Sequence, residues 1–161
     1  GPYPLSHHGL GDVAVVLFFG VVPVVFTCFL QTGSWDGLQF VLPTSITIGL
    51  LAANVLIVNN YRDMEDDTAV NKRTTVVIFG RETMGWVYLN FGIIGMLLML
   101  PLWLSLPVWT LITPILYIIL HINTWRQLRK SFGAQLNPLL GKTAMNLLVF
   151  AVILLIFCIL R

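Results

Sequence analysis

The chain is poor in charge. Only 10% of its 161 residues are Asp, Glu, Lys or Arg, where a soluble globular domain carries about 25%. With 57% hydrophobic residues and a mean hydropathy of +0.88, that scarcity excludes an ordinary water-soluble fold and identifies an integral membrane protein. A net charge of +2 is too small for a nucleic-acid binder, so no nucleic-acid partner is expected. Cysteine is almost absent. Cys28 and Cys158 lie far apart in apolar runs without metal-ligand spacing, which excludes a disulfide framework and reads as two small buried hydrophobes. No basic leader or small-residue cleavage site accompanies the first apolar run, so that run is not a signal peptide. Internal repeats, low-complexity segments and a second domain are also lacking.

What is present is a series of apolar runs, each near the length of about 20 residues that crosses a bilayer as a helix. Five spans are predicted, over Asp12–Leu30, Leu38–Val58, Met84–Leu106, Val108–Asn123 and Thr143–Leu160. Asp12 is a candidate N-cap of the first, and Pro23 is expected to kink it. The second continues past Val58 into polar residues. Between the second and third, Thr75–Gly80 is apolar but too short to span, and reads as an interfacial segment closed by Gly80. Asn54 within the second span is expected to form either an interhelical hydrogen bond or a site wall. Trp35, Trp86, Trp103, Trp109 and Trp125 read as interfacial anchors. The fold class is therefore all-α, a polytopic transmembrane helix bundle.

Eight of the nine basic residues occupy two connections: Arg62, Lys72, Arg73 and Arg81 in one, Arg126, Arg129, Lys130 and Lys142 in the other. Two spans separate these connections, so they share one side of the membrane, and the excess of Lys and Arg predicts that this side is cytoplasmic.

Acidic residues are scarcer still and strongly clustered. Four of the seven fall in Asn59-Asn60-Tyr61-Arg62-Asp63-Met64-Glu65-Asp66-Asp67. Asn59, Asp63 and Asp67 recur every four residues, which on a helix places them on one face, one turn apart. Lys72-Arg73-Thr74-Thr75 follows. Carboxylates suited to a hard cation, followed by basic and hydroxyl groups suited to an anion, point to a metal-bridged phosphate site. The plainer alternative is a solvated loop between two spans. Glu65 and Asp66 point elsewhere on the helix and read as solvated charges.

The run Asn59-x-x-x-Asp63-x-x-x-Asp67, then Asn71-Lys72-Arg73-Thr74-Thr75 and a short apolar stretch ending in Gly80, resembles the second aspartate-rich motif of the UbiA superfamily of intramembrane prenyltransferases. Gly1-Pro2-Tyr3-Pro4-Leu5, Gly9-Leu10-Gly11-Asp12, Phe18-Phe19-Gly20, the pair Asn59-Asn60 and Leu136-Asn137-Pro138-Leu139-Leu140-Gly141-Lys142-Thr143 resemble its menaquinone branch. Members of the superfamily have about nine spans and two aspartate motifs. The first motif, Asn-Asp-x-x-Asp-x-x-x-Asp, does not occur here; Asp12 and Asp36 stand alone. The likeness therefore predicts that residues 1–161 form the carboxyl-terminal portion of a single transmembrane prenyltransferase domain.

The resemblance implies transfer of a polyprenyl group from polyprenyl diphosphate to 1,4-dihydroxy-2-naphthoate with loss of carbon dioxide, in a bacterial inner membrane with the site on the cytoplasmic side. It implies Mg2+ held by Asp63 and Asp67. Lys72 and Arg73 would contact the diphosphate. Asn59 would donate a hydrogen bond to it or make a plain interhelical bond, and Arg62 would contact phosphate or reach for the interface. His121 and Asn123, at a helix end on the same side, are candidates for the aromatic pocket. Alternatives are another branch of the superfamily, acting on 4-hydroxybenzoate or haem, and a transporter fragment. A transporter would place its acidic groups in mid-span. A CDP-alcohol phosphotransferase is disfavoured because Val-Asn-Asn-Tyr-Arg precedes Asp63 where that family needs Asp-Gly and Ala-Arg.

Overall fold

A computed structural model of the chain describes residues 4–159, without the side chains of Ser6, Phe157 and Cys158. The sequence readings that involve Gly1–Tyr3, the Cys158 side chain and the end of the last span at Leu160 and Arg161 lie outside the described residues. Five helices are long and apolar enough to cross a membrane. The described residues hold helices and turns, with one isolated parallel bridge between His8 and Arg73.

The first span, α1, covers Gly11–Thr32. Its Val16–Val21 stretch winds as a π-helix directly before Pro23. Proline has no N–H to donate and crowds the carbonyl four residues back, here in the π segment, and a wider turn is one way to relieve both. Span α2, Leu38–Arg62, is followed after Asp63 by the short helix α3, Met64–Ala69. Helix α4 covers Thr75–Leu98, and α5, Leu100–Ser105, extends that span. Helix α6 is Ile112–Leu128 and α7 is Asn137–Ile159.

Several boundaries differ from expectation. The fourth span reaches Leu128 and the fifth starts at Asn137, so the second basic connection is short, and Arg126 and Lys142 are helical. Apolar content marks where lipid begins, whereas helices continue into water as long as their backbone hydrogen bonds are satisfied. Gly80 closes the short segment as predicted. Its φ of 78° and ψ of 159° interrupt α4, a backbone geometry that disfavours any side chain.

Helix α2 is the centre of the bundle and packs on α1, α4 and α7. Burial drives little helix association when the solvent is lipid, so close backbone approach matters more. Gly20 of α1 faces Gly49 of α2 so closely that a Cβ on Gly20 would lie 2.5 Å from the Gly49 Cα. Two apolar clusters fill the bundle. One gathers Ile57, Tyr61, Met84, Tyr88 and Leu128, and the other Leu51, Met96, Trp103, Tyr117 and Phe150. Trp103 is 2% exposed and meets Phe150 edge-on, so it packs in the core and does not serve as an interfacial anchor.

Candidate functional site

The polar motif sits where α2 gives way to α3. Asp63 has φ −94° and ψ 9°, outside the helical basin, yet the four-residue bonding pattern persists. The Asp63 N–H donates to the Asn59 carbonyl at 3.0 Å, and the Asp67 N–H to the Asp63 carbonyl at 2.8 Å. Asn59, Asp63 and Asp67 therefore stand one turn apart, as their spacing predicts.

The local break has a consequence for charge. Neighbouring residues on a regular helix do not face each other, but here the Arg62 guanidinium reaches the carboxylate of the next residue. Its Nε donates to Asp63 Oδ1 at 2.6 Å and its NH2 to Asp63 Oδ2 at 2.9 Å. The same NH2 donates to Asn59 Oδ1 at 2.9 Å, and NH1 to Asn137 Oδ1 at 3.2 Å. The Asn59 amide completes the ring by donating to Asp63 Oδ2 at 3.2 Å. Arg62 thus joins the motif to the first residue of α7. The guanidinium holds the Asp63 carboxyl below the usual carboxylate range, against the opposing effect of partial burial.

Asp67 is held separately. Asn71 takes a left-handed φ of 54°, which asparagine tolerates better than most residues, and turns the chain back. The Lys72 N–H then donates to the Asp67 carbonyl at 2.8 Å, and its Nζ to Asp67 Oδ1 at 2.9 Å. Asp67 is only 6% exposed, and its Oδ2 is buried with no hydrogen-bond partner among the described residues. Asp66 is exposed. Glu65 is exposed too, but pairs with Arg81 at 2.8 Å, which lowers its pKa. Arg73 is bridged through its backbone to His8, and no side-chain bond ties it to the aspartates among the described residues.

Asp12 was not expected here. It is not the N-cap of α1, a place taken by Leu10. It is 7% exposed, and its Oδ2 accepts a hydrogen bond from the Thr75 hydroxyl at 2.5 Å, while Oδ1 is buried without a partner among the described residues. With Asn59, Asn60, Lys72 and Thr74, these two residues line a small cavity of about 80 Å3. Thr74 caps α4, its hydroxyl accepting from the Val77 N–H. The sequence signals for Asp12 were a carboxylate at the mouth of an apolar run and its place in the Gly9-Leu10-Gly11-Asp12 stretch, and neither assigned it to the site. A separate groove of about 410 Å3, walled by Val15, Phe19, Val55, Leu56 and Leu147, has Asn59 in its lining.

Other sequence candidates lie away from the motif. His121 is buried between the rings of Tyr88 and Tyr117. Its Nε2 meets the Tyr88 carbonyl at 3.0 Å and its Nδ1 the Tyr117 hydroxyl at 3.4 Å, so both ring nitrogens are engaged in the core. Asn123 is exposed. Asn54 is buried near the Tyr117 hydroxyl, without a hydrogen bond of good geometry among the described residues.

A helical membrane bundle with a carboxylate, amide and guanidinium motif at the end of one span defines a polytopic membrane protein with a polar site at the interface. The UbiA prenyltransferase family profile matches residues 2–150, and the chain belongs to that family. It is 31% identical over 155 residues to the 1,4-dihydroxy-2-naphthoate octaprenyltransferase of Mycobacterium leprae, covering 92% of this chain and 50% of that protein. The Haemophilus influenzae protein of the same name is 45% identical over 80 residues, 50% of this chain and 25% of that one. The Mycobacterium tuberculosis one is 30% identical over 154 residues, 94% of this chain and 51% of that one. The chain spans about half the length of the mycobacterial relatives. No solved structure matches.

Proposed function

We propose that this chain forms part of an enzyme that transfers a polyprenyl group from its diphosphate to 1,4-dihydroxy-2-naphthoate, with loss of carbon dioxide, giving demethylmenaquinone. One observation carries the reading: the apolar groove of about 410 Å3 has Asn59 in its wall, and Asn59 is hydrogen-bonded to Asp63. A polyprenyl diphosphate has the same division between a long apolar tail and a highly charged head. The names of the relatives supply the acceptor.

The donor set fits a hard cation. It offers two carboxylates one turn apart, and the buried Asp67 Oδ2 lacks any partner among the described residues. Asp63 and Asp67 would hold Mg2+, which takes one or two carboxylates together with phosphate oxygens and water and would neutralise diphosphate charge. In the structure each carboxylate already has its own cation, Arg62 for Asp63 and Lys72 for Asp67. Substrate binding is then an exchange of partners. Asp63 and Asp67 would be the residues to hold the metal, and Arg62 and Lys72, released from them, would be free to bind phosphate oxygens. Arg73 adds a further positive charge, and Asn59 donates its amide N–H. As the allylic carbon–oxygen bond breaks, these donors stabilise the charge gathering on the departing diphosphate. The apolar groove keeps water from the allylic cation. The excess of Lys and Arg at this end of the spans supports a site on the cytoplasmic side, and the bacterial relatives support an inner-membrane location.

The test offers the full-length protein in detergent a polyprenyl diphosphate and, in parallel, 1,4-dihydroxy-2-naphthoate, 4-hydroxybenzoate or haem b, with products read by mass spectrometry. A prenylated, decarboxylated naphthalene product is expected. Product from 4-hydroxybenzoate or haem alone would move the protein to another branch, and transfer to none of the three would sink the proposal.

A further inference from the structure

We infer that the basic end of the bundle carries a second anion site, built to hold the phosphate of an anionic membrane phospholipid. A cavity of about 280 Å3 is lined by Tyr61, Arg81, Glu82, Arg129, Ser131 and Phe132, from the adjoining ends of α2, α4 and α6 and the turn after α6. Tyr61 lies two residues from both Asn59 and Asp63, about 200° around the helix from each. The cavity therefore opens on the opposite face of α2 from the aspartate motif.

Two guanidiniums wall it, and both have donors to spare. A guanidinium carries five N–H groups. Arg81 uses one NH2 nitrogen for the Tyr61 carbonyl at 3.1 Å and for Glu65 at 2.8 Å. Its Nε is buried with no partner among the described residues. Arg129 lies over two indole rings, with its central carbon 5.0 Å from the Trp86 ring centre and 5.4 Å from that of Trp125, a cation–π contact. The two rings lie to one side of the guanidinium, their centres 5.0 Å apart, and its N–H groups make no hydrogen bond among the described residues. The nearest carboxylate to Arg129, on Glu82, is 3.9 Å away and 83% exposed, too far for a hydrogen bond. Two positioned forks with unused donors match the oxygens of a phosphate diester.

Position selects the lipid as its source. The cavity sits at the end of the bundle that carries eight of the nine Lys and Arg residues. Basic pockets between spans on that side face the anionic leaflet and take phospholipid headgroups. Trp86 and Phe132 are 44% and 59% exposed beside it, giving apolar surface for the glycerol and first acyl carbons. Arg81 also lies over the Phe132 ring at 5.4 Å. Glu82 and Glu65 offset part of the positive charge, so lipid binding competes with Glu82 for Arg129.

The experiment is native mass spectrometry of the full-length protein released from mixed nanodiscs of phosphatidylglycerol and phosphatidylcholine, with inorganic phosphate as a third arm. Phosphatidylglycerol should be retained over phosphatidylcholine. Arg129→Gln should lower that retention by about fivefold or more, as expected for losing charge-assisted hydrogen bonds. Glu82→Gln, at an exposed position that does not threaten folding, should raise it. Arg126→Gln and Lys130→Gln should leave it within about twofold, since neither side chain lines the cavity. Equal retention of both lipids, displacement by millimolar inorganic phosphate, or an unchanged Glu82→Gln variant would each overturn the proposal. So would equal losses in Arg129→Gln and Lys130→Gln, which would mark a diffuse basic surface.

Discussion

The Thr75 hydroxyl donates a 2.5 Å hydrogen bond to the carboxylate of Asp12, across 63 positions of sequence. Thr75 opens α4 just after Lys72 and Arg73, and Asp12 lies in the first turn of α1. Together with the bridge between His8 and Arg73, this contact fastens the lead-in before the first span to the loop that supplies the site's cations.

Removing the donor should be costly. Thr75→Val keeps the shape but leaves both Asp12 oxygens without a hydrogen bond, at about 1–3 kcal/mol. Asp12→Ala followed by Thr75→Val should cost little more than Asp12→Ala alone. Chemical denaturation in micelles across the double-mutant cycle measures the coupling. Strictly additive single effects would show that the two residues do not act as a pair.

The aspartates should separate by role. In the full-length enzyme, Asp63→Asn and Asp67→Asn are expected to lower prenyl transfer by about a hundredfold or more, as for loss of an electrostatic contact to the reacting charge. Exposed Asp66→Asn should retain most activity. Turnover is measured at saturating prenyl diphosphate over a magnesium titration, with helicity checked because Asp67 is buried. An Asp66→Asn variant as inactive as the other two would require a different set of ligands.

Acid should act on Asp63 through Arg62. The folded carboxyl titrates below its ordinary value near 3.8, so its contribution to stability is present above that value and is lost as pH falls through the folded pKa. Above about pH 5 this group should leave stability flat. Arg62→Gln should move the Asp63 titration upward, read by carbon-13 carboxyl shifts in aspartate-labelled protein in micelles. Identical titrations with and without Arg62 would refute the pairing as its cause.

The basic ends of the spans predict the topology. Single cysteines placed at Val70 and at Ala134 should be shielded from an impermeant thiol reagent in intact cells, while one at Ser34 should be labelled. Labelling of Val70 or Ala134 from outside would invert the orientation.

Five spans, their basic ends, the one-turn spacing of Asn59, Asp63 and Asp67 and the break at Gly80 were legible in the sequence, because each depends on residues within a turn or two of one another. Hydropathy, backbone preference and helical periodicity are local properties. Asp12 entering the site, Asn137 meeting Arg62, Trp103 packing in the core and His121 lying between two tyrosines depend instead on which helix faces meet. That choice is made between distant segments, where α1 and α2 approach backbone to backbone at Gly20 and Gly49. A one-dimensional pattern shows that a glycine is present but not which helix will lie against it. The pairing of Arg62 with Asp63 escaped for a related reason. On a regular helix neighbouring side chains diverge, and only the break at Asp63 lets the guanidinium close on the carboxylate beside it.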